Sequence, residues 1–276
     1  MKLLQDIPIR DPYVLYENGI YYLYASGIRD GRPCFLCYRS SDLTEFGNPV
    51  PIFEKNPDFW GTRDFWAPEV HKYKERYYLL ASFKAENRCR GTSILVSDTP
   101  DGTFTPLINR PITPFHWECL DGTLYVENGI PYLIFCKEWL QVKNGEMYIA
   151  ELSEDLSSLK SDPILLFKAK DALWTRSIRG QDNFVTDGPF IFKQNGEYCM
   201  IWSSFSENGY AMGLARSRSL TDGWVHEKQP LYDQDGGHGM IFDNKGEETV
   251  IFHSPNGPSG RERMKILPLK ELLPAY

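Results

Sequence analysis

Apolar and polar positions along this chain follow a repeated phrase: a turn, then an apolar, aromatic-rich run that ends in small polar residues. It reads YENGIYYLYAS at 16–26, YKERYYLLASF at 73–83, YVENGIPYLIFC at 125–136, FKQNGEYCMIWSSF at 192–205 and FDNKGEETVIFHS at 242–254. Asn-Gly or a near equivalent supplies the positive φ of a tight turn. The Tyr, Ile, Leu, Val and Trp on either side suit a pleated, half-buried surface, so each phrase predicts a β-hairpin. The turn positions Gly19, Glu75, Gly129, Gly196 and Gly246 lie about 50 to 70 residues apart, a period that signals a propeller, solenoid or array.

A second phrase follows each first one: LCYRSSDL (36–43), ILVSDTPDG (94–102), YIAELSEDL (148–156), MGLARSRSL (212–220) and MKILPLKEL (264–272). Two strands from the first phrase and one or two around the second make a four-stranded antiparallel unit. Five such units use up the 276 residues. The predicted fold is all-β, a single five-bladed β-propeller of four-stranded antiparallel blades over residues 1–276.

Composition narrows the partners. A net charge of −7 argues against nucleic acid or an anionic membrane surface. No apolar run approaches the ~18–20 residues of a membrane span. The start, MKLLQDIPIRDPYV, is interrupted by Gln5 and Asp6, unlike a signal peptide. The expectation is a cytoplasmic protein if Met1 is the natural start, or a secreted one if a leader was trimmed. Cys34 and Cys37 form a C-x-x-C without a second pair at zinc spacing, and strand residues three apart face opposite sides. They read as coincidental strand cysteines.

Repeat phase points to the chemistry. Eight residues before the turn position stand Asp11, Ala67, Asp121 and His238 in blades one, two, three and five. Blade four reads as carrying one extra residue, which puts Asp187 at the matching place. Equivalent positions near the first strand of each blade should converge on the propeller axis. A lone Asp-Pro or Asp-Gly is commonly only a turn. Three carboxylates and an imidazole in one phase of a closed array point instead to function, because crowded carboxylates repel one another.

Carboxylates around a pocket suit glycoside hydrolysis. One ionised group activates water or attacks carbon, and a second, protonated group donates to the leaving oxygen. Trp60, Trp66, Trp117, Trp139 and Phe205 fall near strand ends or loops, where rings can stack on sugar faces. Trp202, inside CMIWSSF, reads as core. Glu138, in CKEW, lies nine residues past the Gly129 turn, at the pocket end of its strand, where the other blades carry mostly Ser or Phe. That marks it as a candidate acid.

At these residues the chain resembles glycoside hydrolase family 43, five-bladed propellers that hydrolyse arabinose-, xylose- or galactofuranose-containing glycans with inversion. The match runs through RDPYVLYENGIYYLYAS, WAPEVHKYKERYYLLAS, LDGTLYVENGIPYL, TDGPFIFKQNGEYCMIWSS, GGHGMIF and FHSPNGPSGRE. The resemblance implies that Asp11 is the general base and that Asp121 tunes and orients the acid. Trp66 would bind substrate, with Glu69 as structural support. Arg261, or else Arg263, would lie near substrate. His238 would point to a central metal, often calcium and commonly through water; no cofactor is implied for the chemistry itself. The family's acid is the Glu of a Glu-Gly-Pro, whereas this chain has Asp187-Gly188-Pro189. Asp187 is the acid by position, and Glu138 is the alternative.

The expected partner is an oligosaccharide, and the expected action is removal of terminal arabinofuranosyl, xylosyl or galactofuranosyl units. The long loop from 169 to 185, with Trp174, Arg176, Arg179 and Asn183, could wall off one end of the cleft. Two alternatives stand beside this reading. Arg10-Asp11-Pro12 and Glu118-Cys119 echo motifs of retaining fructan-type glycosidases on a related propeller. A non-catalytic carbohydrate-binding propeller would also share the fold.

Overall fold

The computed structural model describes residues 2–180 and 182–273. The short strand β1 (Lys2–Leu3) precedes blade one, which consists of β2 (Tyr13–Glu17), β3 (Ile20–Arg29), β4 (Arg32–Ser40) and β6 (Val50–Glu54); β5 (Glu45–Phe46) pairs with β1. Blade two holds β7 (Arg63–Tyr73), β8 (Arg76–Lys84), β9 (Gly91–Ser97) and β10 (Thr105–Pro106). Blade three holds β11 (Cys119–Glu127), β12 (Ile130–Lys137), β13 (Glu146–Glu151) and β14 (Ile164–Lys168), with the single-turn helix α1 (Trp139–Val142) after β12. Blade four holds β15 (Asp187–Gln194), β16 (Glu197–Ser206), β17 (Gly209–Ser217) and β18 (Val225–His226).

Blade five departs from the expected four strands. Among the described residues it has three, β19 (Gly237–Asn244), β20 (Glu247–Ser254) and β21 (Arg263–Pro268), after which the chain turns into α2 (Leu269–Leu272). The N-terminal segment lies beside β21: the Ile9 amide donates to the Glu262 carbonyl at 3.1 Å, and Arg263 Nε to the Gln5 carbonyl at 2.7 Å. The innermost strands touch in sequence, β2 to β7, β7 to β11, β11 to β15, β15 to β19, and β19 back to β2. That closes the ring and leaves a common hub. Every repeated turn joins the first two strands of its blade, and every second phrase supplies the third.

Apolar side chains fill the gaps between blades, which is where most of the aromatic content goes. Phe59, Phe65 and Phe83 pack edge-to-face, with centroids 4.8 Å apart for Phe59–Phe83 and Phe65–Phe83. Trp60 belongs to this core, its Nε1 donating to Ser93 Oγ at 2.8 Å, so it is no sugar platform. Trp117 packs between blades two and three, with Lys137 over its ring, and is likewise withdrawn from sugar binding. Trp202 is fully buried, as its sequence context implied. The six cysteines are free, and Cys34 and Cys37 are buried in β4.

The hub end of each innermost strand carries a left-handed residue. Asp11, Ala67, Asp121, Gly188 and His238 have φ of 50°, 47°, 50°, 49° and 54°. In blades two to five the pairing register slips at this point, the mark of a β-bulge. The true counterpart of Asp11 and Asp121 in blade four is therefore Gly188. No extra residue is inserted, and Asp187 stands one place earlier, in the phase of Arg10, Trp66, Leu120 and Gly237.

Candidate active site

A bulge exposes a backbone N–H that its own sheet cannot satisfy. Here the preceding blade takes it, through the small polar residues that end the repeated phrase. Ser82 Oγ accepts the Asp121 amide at 2.9 Å, and Ser203 Oγ accepts the His238 amide at 2.8 Å. His253 Nδ1 accepts the Asp11 amide at 3.2 Å. In blade four Asp121 itself does this: its Oδ2 accepts the Gly188 amide at 3.0 Å. These bonds fix the hub residues to one another across blade boundaries.

Asp11, Asp121, Asp187 and His238 meet in one cavity of about 560 Å³, within the usual size of a small-molecule site. Trp66, Trp139, Leu140 and Phe205 supply apolar walls, and Glu138, Arg10, Arg90 and Tyr210 line it as well. A smaller depression of about 360 Å³ around Arg32, Pro33 and Lys55 contains none of these carboxylates.

The carboxyl groups are driven apart in proton affinity. Burial works to raise Asp11, but His238, His253 and Arg10 outweigh it and hold the group below the usual carboxylate range. His238 Nδ1 lies 3.1 Å from Asp11 Oδ1 and 3.8 Å from Asp121 Oδ2. Burial disfavours its charge, yet the three aspartates raise its pKa, so an imidazolium is favoured. Asp121 and Asp187 are both raised, first by burial and then by carboxylate neighbours, with Asp187 the higher of the two. Asp187 thereby favours its protonated form more than the other two do, and Tyr210 donates its hydroxyl to Asp187 Oδ2 at 3.1 Å.

Glu138 reaches the cavity as expected, but as half of an ion pair. Arg90 Nη1 donates to Glu138 Oε2 at 2.5 Å and Arg90 Nη2 to Asp64 Oδ2 at 2.8 Å, while the guanidinium lies 4.0 Å over the Trp66 ring. Burial pushes Glu138 up to about 7 against the pull of Arg90. The short bond ties Glu138 to Arg90, whereas the hydrogen bond to Asp187 comes from the Tyr210 hydroxyl.

The remaining expectations divide. Trp66, Trp139 and Phe205 line the cavity, with Trp66 42% exposed. Glu69 is buried and bonded to His71 Nε2 at 3.0 Å, a supporting role. Arg261 is exposed and lies outside the cavity, and Arg263 is occupied with the Gln5, Gly260 and Glu262 carbonyls. The arginine beside Asp11 is instead Arg10, whose Nε lies 3.8 Å from Asp11 Oδ2 and whose other nitrogens bond Asn256. In the 169–185 loop, Trp174 is core, Arg176 pairs with Glu207, and Asn183 is buried; Ile178, Arg179 and Val185 reach the cavity wall. At His238, which the resemblance links to a metal through water, Nδ1 is directed at Asp11 Oδ1. Among the described residues no group of three or more His, Cys, Asp or Glu side chains is arranged to hold a metal.

Opposed carboxyl groups at the hub of a five-bladed propeller place the molecule in the glycosidase class of that fold. More particularly, the chain belongs to the glycosyl hydrolases family 43, whose family model it matches over residues 6–266. It is similar to the crystal structure of an endo-arabinase from Bacteroides thetaiotaomicron VPI-5482, with a TM-score of 0.90 and 41% identity, covering 96% of this chain and 95% of that one. A thermostable family-43 glycoside hydrolase superposes with a TM-score of 0.79 at 25% identity, covering 94% and 88%. In sequence, Alpha-L-arabinofuranosidase 43 of Humicola insolens is 25% identical over 93% of this chain; the chain spans 59% of that relative's length.

Proposed function

We propose that this chain is an inverting glycoside hydrolase acting on arabinofuranosyl linkages of arabinan-type glycans. One observation carries the reading: two carboxyl groups of one cavity, Asp11 and Asp187, are pushed in opposite directions, which assigns base and acid. Asp11, anionic and held by His238, takes a proton from water as the water oxygen bonds to the anomeric carbon. The bond from that carbon to the leaving oxygen breaks, and Asp187 supplies the proton that oxygen needs. Asp121 adds negative charge that keeps Asp187 protonated until then. The arabinan and arabinofuranoside names of the relatives support the choice of sugar.

The loop residues Ile178, Arg179 and Val185, with Trp139 and Leu140 of α1, support attack at chain ends. Product sizes separate the modes: monosaccharide first from arabino-oligosaccharides supports chain-end action, and a spread of shorter oligomers contradicts it. The reaction itself is tested with nitrophenyl arabinofuranoside, xyloside and galactofuranoside beside natural arabino-oligosaccharides. Turnover of the arabinose substrates is expected, falling about 100- to 10,000-fold in Asp11→Asn. No turnover of any of them, or an Asp11→Asn variant equal to the parent, would support a binding propeller instead.

A further inference from the structure

Asp187 is one methylene shorter than the glutamate of the family pattern, and it stands one residue before the left-handed slot. Gly188 fills that slot because a Cβ there would lie 2.8 Å from His238 Cγ. The acid therefore comes from a position of different direction, and something must hold it on target.

Tyr210, from β17, has the placement to do so. Its ring is buried, stacked on His253 at 5.6 Å and 19° and edge-on to Phe205 at 5.2 Å. Gly237 leaves it room, since a Cβ there would meet Tyr210 Cε1 at 2.9 Å. The backbone is pinned too: Asp235 Oδ1 accepts the Tyr210 amide at 3.2 Å, and the Tyr210 carbonyl accepts Gly236 N–H at 2.8 Å. The hydroxyl, so fixed, donates to Asp187 Oδ2. The ring beneath Tyr210 is the same His253 whose Nδ1 accepts the Asp11 amide, so one rigid stack references the acid to the base.

We propose that Tyr210 is the positioning residue for proton delivery: by engaging Oδ2 it leaves the proton on Oδ1 of Asp187, facing the glycosidic oxygen. As that proton transfers and the carbon–oxygen bond breaks, Asp187 becomes a carboxylate, and its bond from Tyr210 becomes charge-assisted. The hydroxyl thus stabilises the later state more than the earlier one, which is what accelerates a step. The inference rests on the assignment of Asp187 as the acid.

Tyr210→Phe removes the hydroxyl and keeps the ring on His253. On natural arabino-oligosaccharides, kcat/KM should fall about 10- to 100-fold, the range for losing a hydrogen bond to a charged group. On a nitrophenyl arabinofuranoside, whose leaving group scarcely needs the acid, the loss should stay below about threefold. The alkaline limb of the natural-substrate profile should move to higher pH, because a donor that favours the carboxylate has gone. Equal losses on both substrates, no loss on either, or an unmoved alkaline limb would overturn the proposal. A parent protein unaffected by Asp187→Asn would instead refute the acid assignment, so the two failures are distinguishable.

Discussion

Asp11 and Asp187 differ in what surrounds them rather than in what they are. Asp11 has two imidazoles and a guanidinium against it, while Asp187 has burial and two other aspartates. The pH dependence of kcat/KM follows with a definite sign. Activity should appear as Asp11 ionises, below the usual carboxylate range, and should disappear as pH rises through the elevated titration of Asp187. Asp187→Asn, assayed on an activated aryl glycoside, should abolish the alkaline limb and leave the acid limb; an unchanged alkaline limb would reassign the acid. The Arg90–Glu138 pair is buried on both sides, so Arg90→Met strands a carboxylate. It should cost about 3 kcal/mol in denaturant unfolding, against no change if the pair were decorative. Asp11, Asp121 and His238 were legible from repeat phase alone. Arg10, Arg90 and Tyr210 were not, because each is brought to the cavity by a fold contact that no spacing encodes; the one hint was Arg10 adjoining Asp11.

The bulge is the element that makes a hub residue of an ordinary strand. One residue at this place is left-handed in every blade, and in blades one, three, four and five its N–H is taken by the preceding blade. The hairpins were legible because turn chemistry and alternation agree. The small polar endings were visible as a pattern, but their purpose was not, since Ser82 and Ser203 serve the next blade rather than their own. Taking Asp187 as the in-phase residue hid Gly188, whose missing Cβ makes room for His238. Gly188→Ala should add about 1–2 kcal/mol of left-handed strain and displace the imidazole, lowering both unfolding stability and kcat more than tenfold. An active, equally stable variant would mean that His238 does not need this position.

At the scale of the whole molecule, closing the ring converts five local repeats into one site. No blade could build it alone: Asp11, Asp121, Asp187 and His238 come from blades one, three, four and five, and Trp66 from blade two. The blade count was readable from spacing, because each repeat must bury its faces against two neighbours. The three-stranded fifth blade was not, since the strip beside β21 is covered by the N-terminal segment from the far end of the chain. Arg10 ties this closure to the cavity, bonding Asn256 and approaching Glu262 at 3.4 Å from the position next to Asp11.

What all scales share is the proposed division of labour, in which Asp11 directs water at the face of the sugar opposite the leaving oxygen and Asp187 protonates that oxygen. Proton NMR of the first-formed product from an α-linked arabinofuranoside reads this directly. The β-anomer should appear first and then equilibrate. An α-anomer appearing first would mean that a covalent intermediate had formed and that Asp11 is not the base.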